Sequence, residues 1–155
     1  MWLHYADRYR GAVLEFKVSE ELNSPLWLAK PVIYQDALPA ISEVKNWVDY
    51  IVGDGDFEEL YTQYQYVKTS SWSYEKEWRV VIMGARPGED DTFGDYPFNP
   101  KELTGIYLGP QCDAVDRVAI LDALKSDLSH VSVHDASLDQ TRSTFTFTNV
   151  KQEAV

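Results

Sequence analysis

In the string WSYEKEWR, Trp72 to Arg79, two carboxylates, Glu75 and Glu77, stand two residues apart, and Arg79 follows two residues later. On an extended strand, residues spaced by two share a face, so this stretch predicts Glu75, Glu77 and Arg79 on one side and Trp72, Tyr74, Lys76 and Trp78 on the other. An acid beside an arginine can hold it in place. A second acid left over can take part in proton transfer or accept a hydrogen bond from a sugar hydroxyl. The plainer alternative is a solvated strand face with cross-strand ion pairs. His4 and Tyr5, in HYADRYRG, add a second pair of groups able to hydrogen-bond a ligand, and histidine titrates closest to neutral pH. The plainer role for His4 is structural.

Other chemistries find no support in the residue types. Asp54 and Asp56, and separately Glu89, Asp90, Asp91 and Asp95, lack the ligand spacing and terminal glutamate of a calcium loop, so no metal site is expected. Cys112 is the single cysteine, which excludes an internal disulfide and points to a reduced, cytoplasmic protein. Neither a nucleophile elbow nor a dinucleotide fingerprint is present. A formal charge of -11, from 25 acids against 14 bases, opposes phosphate backbones and anionic membranes, so nucleic-acid and membrane partners are not expected.

The elements that must carry these residues are legible in the periodicity. Alternation in GAVLEFKV predicts a strand, with Ala12, Leu14, Phe16 and Val18 on one face, and KPVIYQD gives a second strand that begins at Pro31. Ile41, Val44, Trp47, Val48 and Ile51 predict a helix within 39–52, and Phe57, Leu60, Tyr61 and Tyr64 another after Asp56. The WSYEKEWR strand is expected to start by Ser73 and continue through VVIMGAR as a central strand. An acidic, proline- and glycine-rich loop over 86–100 follows. ELTGIYLGP, HVSVHDA and STFTFTNV supply three more strands, and a helix over 113–128 starts at Asp113 with Val115, Val118, Ala119 and Leu124 as its apolar stripe. With 45% apolar and 14% aromatic residues in 155, the chain can bury a core. The expectation is a single α+β domain over 1–150 with a tail at 151–155, built from about six mostly antiparallel strands and three helices, with the sheet open to being split.

Three strings in order, MWLHYADRYRGAVLEF, KTSSWSYEKEWR and ELTGIYLGPQCD ahead of a helix, resemble the bacterial family of domain of unknown function 2971. The middle one carries the pattern Lys-x-x-x-Trp-x-x-Glu-x-Glu-Trp-Arg. The resemblance implies that His4, Tyr5, Lys68, Trp72, Glu75, Glu77, Trp78 and Arg79 are the residues to watch. In that family the Met-Trp-x-His-Tyr-Ala element lies behind a further N-terminal portion, so the resemblance also implies a truncated member or a C-terminal piece.

Two functions from different classes fit these residues. A Glu-x-Glu on a strand, a split sheet with intervening helices and a His-Tyr element are similar in layout to ADP-ribosyltransferase-like domains, whose strand glutamate steadies the ribose of NAD. That likeness implies NAD as cofactor, Glu77 as the ribose contact, Glu75 directed to an acceptor, and His4 or Tyr5 holding the nucleotide. The other function is a non-catalytic module of a defence or regulatory system, in which the acidic surface selects a basic protein partner. Glu77 and Arg79 are then a structural ion pair.

Overall fold

A computed structural model describes residues 2–37, 44–53, 65–81, 97–139, 141–142 and 144–150. The chain forms two compact units, one of Met1–Trp27 with Pro97–Val155 and the other of Leu28–Tyr96. The fold is α+β. Among the described residues there are eight strands, and three of their five pairings are antiparallel.

The first unit is built on a four-stranded sheet in the order β1-β6-β7-β8, from Ala12–Phe16, Leu103–Leu108, Ser132–Asp139 and Thr144–Asn149. The parallel pair β6 and β7 is joined through a helix, here named α2, at Ala114–Ala123. Sequence alternation sends Ile106, Leu108 and Val133 to one face, where they form the core with Leu124 and Val131. Ile120 and Leu121 of α2 pack against that core, and Arg117 on the same helix grips both carboxylate oxygens of Asp135 on β7.

The expected stripe of α2 is therefore partly misplaced. Val115 and Val118 are 80% and 57% exposed. Asp113 does stand at the N-cap position, but its side chain makes no capping bond. In β1, Ala12 and Phe16 pack on the core as alternation requires, while Leu14 is exposed, as is Val18 beyond the strand's end.

Ahead of β1, residues 2–10 form a turn with a backbone that few side chains adopt. Asp7, Arg8 and Tyr9 take φ of 41°, 50° and 75°, three consecutive left-handed residues without a glycine. The turn is held by Tyr9 N–H donating to Trp2 O at 3.1 Å, Gly11 N–H to Ala6 O at 3.0 Å, and Gln111 N–H to Tyr9 O at 3.0 Å. Elsewhere in this unit Glu102 is fully buried, accepting from Ser24 Oγ at 2.7 Å and from the Asn99 N–H at 2.9 Å. Those two donors let the carboxylate leave water.

In the second unit, β2 at Lys30–Pro31 pairs antiparallel with β5 at Trp78–Arg79, and β3 at Ile33–Gln35 pairs parallel with β4 at Val67–Thr69. The single strand expected in KPVIYQD is thus two, serving different partners on either side of the buried Val32. The helix α1 covers Val44–Val52. The helix expected after Asp56, most of VVIMGAR and most of the acidic loop fall outside the described residues.

Gly109 follows β6 directly under the N-terminal turn, where an added Cβ would collide with the carbonyl oxygen of Tyr9 and stand 2.8 Å from that of Gly11. Backbone on both sides leaves no room to relax. Gly109→Ala is expected to lower the melting temperature and to release the turn, read as faster amide exchange at Tyr9 and Gln111; unchanged exchange there would contradict this packing.

Candidate functional site

The strand predicted from Ser73 does not form. Ser70–Glu75 is instead a 3-10 helix, and Lys76 closes it with a left-handed φ of 49°. Among the described residues of this stretch, Trp78–Arg79 are the ones in a strand. Alternation cannot hold across such a turn, so the aromatic residues do not line up as a core-facing strand surface. Trp72, Tyr74 and Trp78 are 40%, 59% and 65% exposed.

The turn nonetheless brings the acids together. Lys68 Nζ contacts Glu75 Oε2 and lies 3.0 Å from Glu77 Oε2. Arg79 Nε donates to Glu77 Oε1 at 2.5 Å, its Nη2 to Glu77 Oε2 at 3.2 Å, and its Nη1 to the Gln65 carbonyl at 2.5 Å. Lys68 also stands 4.9 Å from the ring centre of Trp72, a cation–π contact.

Local pairing explains the convergence. Tyr34 and Lys68 are register partners in β3 and β4, which places their side chains on the same face. The Glu77 N–H donates to Tyr34 Oη at 2.8 Å, and the Glu77 carbonyl accepts from the Val32 N–H at 2.9 Å. Backbone and side chain of Glu77 therefore tie β5 to the strands on either side of Val32 and to Lys68 on β4.

The electrostatics follow the geometry. Hydrogen bonds from Arg79, then Lys68, hold the Glu77 carboxyl below the usual carboxylate range. The Lys68 ammonium is pushed up by its bonds to Glu75 and Glu77, and the Arg79 guanidinium by Glu77. All these groups are thus stabilised in their charged forms. A glutamate so held is a poor proton carrier near neutral pH.

Of the residues singled out in the sequence, Lys68, Trp72, Glu75, Glu77 and Arg79 meet in the second unit, and Trp78 belongs to the same short segment. His4 and Tyr5 belong to the turn of the first unit, where their rings meet edge to face at 6.5 Å. His4 lies eight residues ahead of β1. Tyr34 escaped the sequence reading, because nothing in KPVIYQD marks it as a partner of Glu77; its place emerges only from the β3–β4 register. Among the described residues no group of histidines, cysteines and acids could hold a metal ion.

The chain belongs to the family described as "Protein of unknown function (DUF2971)", whose model matches residues 1–80. The matched span holds His4, Tyr5, Tyr34, Lys68, Trp72, Glu75, Glu77, Trp78 and Arg79 and ends one residue after Arg79; the string ELTGIYLGPQCD lies beyond it. No curated protein and no solved structure matches the chain.

Since Glu77 sits between two cations and is about a quarter exposed, Glu77→Gln is expected to cost about 1–2 kcal/mol, between exposed and buried pair values. Its depressed folded pKa means that this stabilisation is complete above the ordinary value of 4.5 and fades as pH falls through the lower folded value. Melting curves of wild type and variant should accordingly differ at pH 7 and converge in acid. A gap that widens in acid would refute the assignment.

Proposed function

We propose that this chain is a non-catalytic recognition module whose acidic surface selects a basic protein partner. The observation that carries the reading is the commitment of both glutamates: Glu77 meets Arg79 and Lys68, and Glu75 meets Lys68. An ADP-ribosyltransferase-like use of NAD needs Glu77 to accept from a ribose hydroxyl. It would have to exchange charge-assisted bonds for a neutral one, a weaker interaction. On this reading the ion cluster is architecture. It fixes the short 3-10 turn that holds Trp72 and Tyr74 outward, their rings 6.0 Å apart, beside the exposed Trp78.

The formal charge of -11 supplies the selectivity, because a field of that sign raises the encounter rate with basic surfaces and disfavours acidic ones. The single Cys112 supports placing the module in the reducing cytoplasm. Among the described residues no helix is long and apolar enough to cross a membrane.

Label transfer from NAD to lysate proteins, measured for wild type and Glu77→Gln, separates recognition from catalysis. Recognition predicts no transfer from either and a partner captured at low salt but released at high salt. Transfer that disappears with Glu77→Gln would establish the enzymatic alternative instead, and capture at neither salt concentration would remove the partner.

A further inference from the structure

The face of the four-stranded sheet opposite α2 carries a continuous row of rings. Tyr107 and His134 are register partners on β6 and β7, and they stack with centres 4.8 Å apart and planes 14° apart. Phe147 on β8 lies opposite the small Ala136, which lets its ring reach past β7 to Tyr107 at 5.1 Å. Phe145 continues the row at 6.4 Å from Phe147, and Trp2 stacks on Phe145 at 5.6 Å. Phe147 is 48% exposed.

A carboxylate is fixed at the β1 end of this row. Glu15 Oε2 accepts from Tyr107 Oη at 2.7 Å, and the carboxylate lies so close over β6 that a Cβ on Gly105 would come within 2.7 Å of it. Glu77, Asp135 and Asp139 each face an arginine, whereas the partner of Glu15 is a neutral phenol. Among the described residues no lysine or arginine pairs with Glu15, so its charge is held in place but left uncompensated. Tyr107 uses one of about four acceptor positions on the carboxylate.

A flat carboxylate beside stacked ring faces matches one side chain in particular. A guanidinium is planar, pairs with a carboxylate through two parallel N–H donors and stacks on aromatic rings; an ammonium does neither of the last two as well. An aromatic row on an open sheet can also stack nucleic-acid bases, but such sites add basic residues along the backbone track. Here the fixed charge in the row is negative, as is the chain. We infer that the Glu15–Tyr107–His134–Phe147 face docks an arginine-bearing segment of the basic partner. The inference rests on the recognition reading and assigns the surface and the side-chain chemistry that reading leaves open.

The test is an amide-resolved NMR titration of the full chain with three probes: tetra-arginine, tetra-lysine and a uridine octanucleotide. Tetra-arginine is expected to shift Glu15, Gly105, Tyr107, His134 and Phe147 and to bind more tightly than tetra-lysine. Glu15→Gln should weaken it roughly three- to ten-fold, and Phe147→Leu, which keeps an apolar side chain but removes the ring, by a few-fold. Shifts confined to other surfaces, equal affinity for both peptides with no response to Glu15→Gln, or tighter binding of the oligonucleotide at this row would each overturn the inference. Lysate capture distinguishes the two levels of failure. Capture that survives both substitutions removes only this surface, whereas absence of capture by wild type removes the recognition reading.

Discussion

A carboxylate that satisfies two cations at once cannot move independently of either. Glu77 is in that position between Lys68 and Arg79, and its backbone is equally committed, to Val32 on one side and the Tyr34 hydroxyl on the other. Among the described residues each of the two sheets of the second unit has two strands, and an isolated two-stranded ladder is marginal in water. Their joint geometry depends on this residue. Lys68 extends the constraint to Glu75 and Trp72, so the orientation of the exposed aromatic turn is set by the same charges.

Much of the fold was legible because its signals are local. Strict alternation in STFTFTNV and in ELTGIYLG, and the shift to helical period after Asp113, locate β8, β6 and α2. The WSYEKEWR string shows where that logic stops. Alternating residue types are compatible with a strand, but Lys76 adopts a left-handed conformation that no local rule demands of a lysine, and the segment before it coils. The charged residues still meet, because a 3-10 turn followed by a reversal returns Glu75 to the same lysine that Glu77 faces. Residue types pointed to the right neighbours through the wrong geometry. Tyr34 was invisible for a different reason: its role is set by cross-strand register, which lies in pairing rather than in sequence spacing.

The aromatic content divides by environment. In the first unit the fully buried core residues are aliphatic, Leu108, Leu124 and Val133 among them, with Phe16 packed against them, while Tyr107, Phe145 and Phe147 stack on the opposite sheet face. Stacking among rings recovers part of the cost of leaving them near water. Trp72 and Tyr74 use a similar economy, lying against each other and beside Lys68. Val115 and Val118 on α2 have no such arrangement on the described surface and mark where helical period alone overstated burial.

The first unit is discontinuous in sequence, with the whole of Leu28–Tyr96 emerging between β1 and its partner β6. During synthesis, β1 leaves the ribosome long before the strand that will cover it exists. The β6–α2–β7 segment is contiguous in the chain, whereas pairing β1 with β6 requires closing a loop that contains the whole second unit. Until Gln111 has been made, the left-handed turn at Asp7–Tyr9 lacks the hydrogen bond that the Tyr9 carbonyl accepts from it.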